Sequence, residues 1–109
     1  MSDQTTTFAQ IKEKIRSFVE EREWQQFHSP KNLSMAIAAE AAELMEHFLW
    51  DDADQSRKRL DDPGKADEIA REIADIVIYT IEFAYEAGID LSEAITQKLE
   101  RNAQNYPVH

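Results

Sequence analysis

A chain of 109 residues is long enough for one domain, but as a single copy it buries only a modest core, so self-association is expected from the outset. Its 22 acidic residues against 12 basic ones disfavour nucleic-acid polymers and anionic membranes as partners, while leaving room for a small polyanion that arrives with metal ions. The lack of cysteine excludes disulfide and thiol chemistry; with a polar start and no apolar run of membrane-spanning length, the chain reads as soluble and cytoplasmic.

Two glycines, three prolines and scarce strand-like alternation predict an all-α protein, with no internal repeat and no linker long enough to separate domains. A first helix is predicted from about Thr7 to Arg22, with Phe8, Ile11, Ile15 and Phe18 on one face. Trp24, Phe27 and His28 follow. Ser29 as N-cap and Pro30 as first helical residue then open a second helix that runs to about Trp50. Asp51-Asp52-Ala53-Asp54 reads as a solvated acidic turn, and Gln55 to Leu60 as either a short helix or irregular chain. Asp61-Asp62-Pro63-Gly64 is the clearest break, although Asp62-Pro63 equally fits a helix cap. A third helix is expected from about Lys65 to Ala87, ended by Gly88 in a left-handed cap. Asp90-Leu91-Ser92-Glu93, an acidic capping box, opens a fourth helix through about Asn105, with Ile89, Leu91, Ala94, Ile95 and Leu99 apolar. Short connections between such helices favour an antiparallel four-helix bundle.

The second and third predicted helices are apolar nearly all round, yet each carries an acidic couplet, Glu40-Ala-Ala-Glu43 and Glu72-Ile-Ala-Asp75. A spacing of three residues sets both acids of a couplet on one face, a turn apart. Carboxylates brought inward together repel one another and are costly without a counter-charge. No Lys or Arg lies within the first run, and Arg71 points away from the Glu72/Asp75 face, so a hard divalent cation, Mg²⁺ first, is the natural partner. His47 stands four residues after Glu43, a spacing that also suits a transition metal. The paired Glu-x-x-His motifs of di-iron bundles are missing, which argues against iron redox chemistry. Glu46, Glu68 and Glu82 on the same helices read as surface charges.

The ordered set Glu40-x-x-Glu43 and Glu72-x-x-Asp75 resembles the E-x-x-E…E-x-x-D signature of the all-α nucleoside triphosphate pyrophosphohydrolases, the MazG-like family. Glu23-Trp24, Phe27-His28-Ser29-Pro30-Lys31-Asn32-Leu33, Trp50, Asp75-Ile76-Val77-Ile78-Tyr79 and Lys98…Asn102…Tyr106-Pro107 look like its dCTP pyrophosphatase branch. The similarity spans the chain from about residue 20 onward. It implies a catalytic and metal-binding set of Glu40, Glu43, Glu72 and Asp75 holding Mg²⁺. It implies water attack on the α-phosphorus of a nucleoside triphosphate, dCTP or a modified dCTP, to give a monophosphate and pyrophosphate in nucleotide-pool sanitation. Glu43 is the carboxylate assigned to take the water's proton. Trp24 and Trp50 are expected to line the base pocket, Tyr79 to meet the sugar, and His28 the base or a phosphate. Lys31, Asn32, Lys98 and Asn102 are expected to contact the triphosphate, and members of this kind assemble as tetramers built from dimers.

Each of these residues also has an ordinary reading. The acids alone are compatible with solvated helix faces, the tryptophans with core or subunit contacts, His28 with a loop, Lys31 with plain surface and Tyr79 with a core position. Arg101, Asn105 and His109 are taken as surface residues. Two other functions compete: the same hydrolysis on a different nucleotide, and a non-catalytic helical oligomerisation module whose acidic face docks a basic partner.

Overall fold

The computed structural model describes residues 1–108. Among them the chain is all-helical, with α1 (Phe8–Glu21), a 3-10 turn (Trp24–Phe27), α2 (Pro30–Glu46), α3 (Ala53–Arg59), α4 (Pro63–Ala87) and α5 (Leu91–Asn105).

Local chemistry accounts for most of the boundaries. Thr7 Oγ1 accepts from the Gln10 amide at 3.2 Å while Gln10 Oε1 accepts from the Thr7 amide at 2.8 Å, a reciprocal box that starts α1. Ser29 Oγ accepts from the Asn32 amide at 3.1 Å with Pro30 at the first position of α2. Asp62 and Pro63 cap α4 in the same way, Asp62 Oδ1 accepting from Gly64 at 3.1 Å, so this helix begins two residues before Lys65. Gly88, at φ 66°, closes α4, and the Ile89 amide donates to the Ala84 carbonyl at 2.8 Å. Asp90 caps α5 by accepting from Glu93 at 3.0 Å, whereas the Glu93 carboxylate accepts from Gln97 Nε2 instead of completing a box.

Two expectations are corrected. α2 stops at Glu46 rather than Trp50, because His47 and Phe48 switch to tight three-residue bonds onto Leu44 and Met45. The acidic turn after it is not fully solvated: Asp52 and Gln55 form a second reciprocal cap, which makes residues 53–59 a helix. Asp51, with 5 % of its side chain exposed, takes a two-pronged ion pair from Arg59 Nε and Nη2.

α4 is the spine. α2 lies along it in the opposite direction, as the descending order of facing partners shows: His28 with Glu82, then Glu40 with Asp75, then His47 with Glu72. α1 covers the C-terminal half of α4 through Arg16, and the small core is Val19, Leu33, Ile69, Ile81 and Ala84. α5 shares no substantial interface with these helices. Accordingly the radius of gyration is 16.5 Å, against ~13 Å for a compact chain of about 100 residues. Met35 and Met45 on α2, Ile73 and Val77 on α4 and Ile95 and Leu99 on α5 are exposed, so the couplet-bearing helices, apolar nearly all round, keep an uncovered face within one copy.

Glu82 is the clearest departure from the surface reading. It is 0 % exposed, and Arg16 Nη1 donates to its Oε2 at 2.7 Å. α1 packs over that face of α4, so the carboxylate has lost its water and is held by a guanidinium.

Candidate active site

The register of α2 on α4 brings the two couplets into one electronegative cluster. Burial first, then the hydrogen bond and charge of Glu43 and the charges of Asp75 and Glu72, push the Glu40 carboxyl above the ordinary carboxylate range. Tyr79 is pushed up as well, by burial and by the charges of Glu40 and Asp75. Among the described residues no Lys or Arg pairs with any of the four acids; Arg71 pairs with Asp67, away from the cluster.

The donors suit a hard divalent cation. They are carboxylates on two packed helices whose charges act on Glu40; Glu40 and Glu72 are half-buried, Glu43 and Asp75 are exposed, and Glu72 Oε2 is buried with no hydrogen-bond partner among the described residues. His47 Nε2 lies 2.7 Å from that oxygen, at ion-pair distance but without hydrogen-bond geometry. As they stand, no three acidic or histidine side chains among the described residues converge into a coordination shell. Like-charged carboxylates resist that convergence, and a cation would lower its cost.

Two cavities open beside the cluster. One, of about 460 Å³, is lined by Trp24, His28, Asp75, Ile78, Tyr79 and the α1 residues Lys14, Ile15, Phe18 and Val19. Here Trp24 meets Phe18 edge-on, ring centres 5.5 Å apart, which fixes the indole at the mouth. The other, of about 440 Å³, is lined by Glu43, Glu46, His47, Leu49, Trp50, Arg59, Lys65 and Glu72. The tryptophans therefore stand in different cavities, and Trp50 is 89 % exposed, because it lies in the turn that leaves α2.

Of the other residues singled out in the sequence, Asn32 uses its side-chain amide to hold the Phe27 carbonyl at 3.0 Å, tying the 3-10 turn to α2. Lys31 is exposed in the first turn of α2. Lys98 and Asn102 lie on α5 and line neither cavity. His109 is outside the described residues. Arg59, Lys65 and Lys14, which sequence reasoning passed over, bring cations to the cavity walls. Glu82 had a readable signal: it follows Asp75 by seven residues, hence lies on the same face of α4.

The raised Glu40 carboxyl makes the metal-free protein sensitive to pH. Folded Glu40 holds its proton more tightly than unfolded Glu40, so between the ordinary glutamate pKa and the raised one the native state binds the extra proton. The contribution of Glu40 to stability is greatest below that window, falls as pH rises through it and stays reduced above. Urea denaturation over a pH series should show the decline in the wild type and a weaker one in Glu40→Gln; equal slopes would contradict the clustering.

A model of the MazG-like family matches residues 35–109. The chain is 34 % identical over 103 residues to dCTP pyrophosphatase 1 of Mus musculus, covering 94 % of this chain and 61 % of that protein. It is 32 % identical over 103 residues to dCTP pyrophosphatase 1 of Homo sapiens, with the same coverage. The chain thus spans about three fifths of the length of these curated relatives. The crystal structure of a pyrophosphatase from Archaeoglobus fulgidus superposes with a TM-score of 0.87 at 32 % identity, over 99 % of each chain. Paired acids on two antiparallel helices, the family match over residues 35–109 and this full-length likeness agree: the chain belongs to the MazG-like family.

Proposed function

We propose that this chain, acting as one domain, is a nucleoside triphosphate pyrophosphohydrolase that converts dCTP or a base-modified dCTP to the monophosphate and pyrophosphate. The observation that carries the reading is the cluster of Glu40, Glu43, Glu72 and Asp75 on facing helices with no lysine or arginine partner among the described residues. The names of the relatives support the nucleotide.

Glu40, Glu43, Glu72 and Asp75 would hold Mg²⁺, which when bound offsets charge on the phosphate oxygens and on the departing pyrophosphate. Glu43 takes the proton of the attacking water as its oxygen bonds to the α-phosphorus. The bond from that phosphorus to the bridging oxygen then breaks, and pyrophosphate leaves with the electron pair. Glu40, whose carboxyl is held above the ordinary range by burial and by the neighbouring Glu43, sits one turn before it on the same face of α2. Trp24 offers the base a stacking face, Tyr79 lies beside it for the sugar, and His28 completes that wall. Arg59 and Lys65, in the cavity that Glu43, Glu72 and Trp50 share, suit the phosphate tail. Lys98 and Asn102 would reach the triphosphate only in an assembly that carries α5 to the cluster, and Lys31, exposed in the first turn of α2, only where that turn meets a neighbouring copy's cluster. Exposed Leu99, at 63 %, with Ile95 and Ile73, supports a homo-oligomer, a tetramer of paired dimers being the form the sequence resemblance implies. A monomer at micromolar concentration in sedimentation analysis would rule out that assembly.

Incubation with a nucleotide panel and Mg²⁺ should yield pyrophosphate and monophosphate, with dCTP or its modified forms preferred. Mg²⁺ should also stabilise the fold, by about 2.7 kcal/mol at a hundred times its dissociation constant. Release of single phosphate from every nucleotide would count against pyrophosphate-releasing hydrolysis of any nucleotide, whereas no turnover with a melting temperature indifferent to Mg²⁺ would favour an acidic docking module.

A further inference from the structure

Beyond the carboxylate cluster, α4 buries one more acid, Glu82, in a network of its own. Arg16 Nη1 donates to Glu82 Oε2 at 2.7 Å, and the same guanidinium lies over the Tyr85 ring, 3.5 Å from its centre. Glu82 Oε2 also stands 3.4 Å from His28 Nδ1. Glu82 Oε1 has no partner among the described residues. A carboxylate bound to a guanidinium only accepts hydrogen bonds, so the nitrogen facing it must carry the hydrogen. His28 is then fixed as the Nδ1–H tautomer, and Nε2 is left with a lone pair. His28 also lines the cavity shared with Trp24 and Tyr79.

We infer that Glu82, anchored by Arg16, is a positioning residue that makes His28 Nε2 a hydrogen-bond acceptor, selecting a donor group on the nucleoside half of the substrate rather than a phosphate oxygen. The inference rests on the proposed hydrolase reading for its ligand, but not for the tautomer. An acceptor nitrogen repels phosphate oxygens and attracts an N–H or O–H, which on a deoxycytidine nucleotide means the base amino group or the 3′-hydroxyl. The other ionisable groups around the cavity are Lys14 and Arg16 on α1 and Asp75 and Tyr79 on α4.

Long-range ¹H–¹⁵N correlation spectra of ¹⁵N-histidine-labelled wild type decide the first step without any variant. Neutral His28 should show a protonated Nδ1 and a bare Nε2; the reverse pattern overturns the inference. Arg16→Met/Glu82→Leu removes the acceptor together with the cation that would otherwise be left unpaired, and should release His28 to a mixture of tautomers. Glu82→Gln, whose amide oxygen still accepts, should keep the wild-type pattern.

Kinetics decide the second step. With dCTP the double variant should raise KM about tenfold, the worth of one hydrogen bond, with kcat nearly unchanged. Glu82→Gln should restore KM. The wild-type preference for dCTP over dUTP, or for dCTP over its 3′-deoxy analogue, should collapse in the double variant, and whichever ratio collapses identifies the donor. If neither ratio moves, His28 does not read a nucleoside donor and the inference falls. Failure of the hydrolase reading looks different: the wild type then turns over no nucleotide while the tautomer result stands.

Discussion

Glu43→Gln and Asp75→Asn should each lower kcat by about 10²–10⁴-fold at saturating Mg²⁺, the range expected for a positioned acid–base group. Both acids belong to the cluster around Glu40, so on the proposed reading each change removes a charge that would face the metal, and in Glu43 also the assigned proton acceptor. The same substitutions relieve repulsion, and without metal both variants should melt no lower than the wild type. This opposition of effects separates a functional cluster from a structural one: a carboxylate that mainly supported the fold would lower activity and melting temperature together. Steady-state pyrophosphate release and thermal melts with and without Mg²⁺ give the comparison. Wild-type turnover in either variant at saturating metal would sink the assignment.

The largest stability effect should come from the opposite end of α4. Arg16→Met leaves the fully buried Glu82 carboxylate facing only His28, and removal of one partner of a buried ion pair costs about 3–5 kcal/mol. Arg16→Met/Glu82→Leu should recover most of that loss, because no unpaired charge is then left at a fully buried position. Urea denaturation of the two singles and the double measures the coupling. Additive losses would show that the two side chains do not act as a pair.

The helix starts, and the end of α4, were legible because a cap acts within a few residues. Ser29-Pro30, Asp62-Pro63, Gly88 and Asp90 all act as their types require. The couplets were legible for a related reason, since a spacing of three on an apolar helix fixes a shared face before any packing is known. The end of α2 was not, because it depends on a corner at which Asp51 meets Arg59, eight residues later. Trp24 and Trp50 were legible as a pair of flat side chains but not as occupants of separate cavities.

Sequence by itself determined an all-helical chain and two acidic couplets, each on one helix face, since these follow from residue type and a helical period. Tertiary structure decided which acids meet and which other charge is buried. Glu82 looks like any helix-face glutamate until α1, 66 residues earlier at Arg16, closes over it. The free energy of a charge depends on who displaces its water, and that neighbour is chosen by the fold.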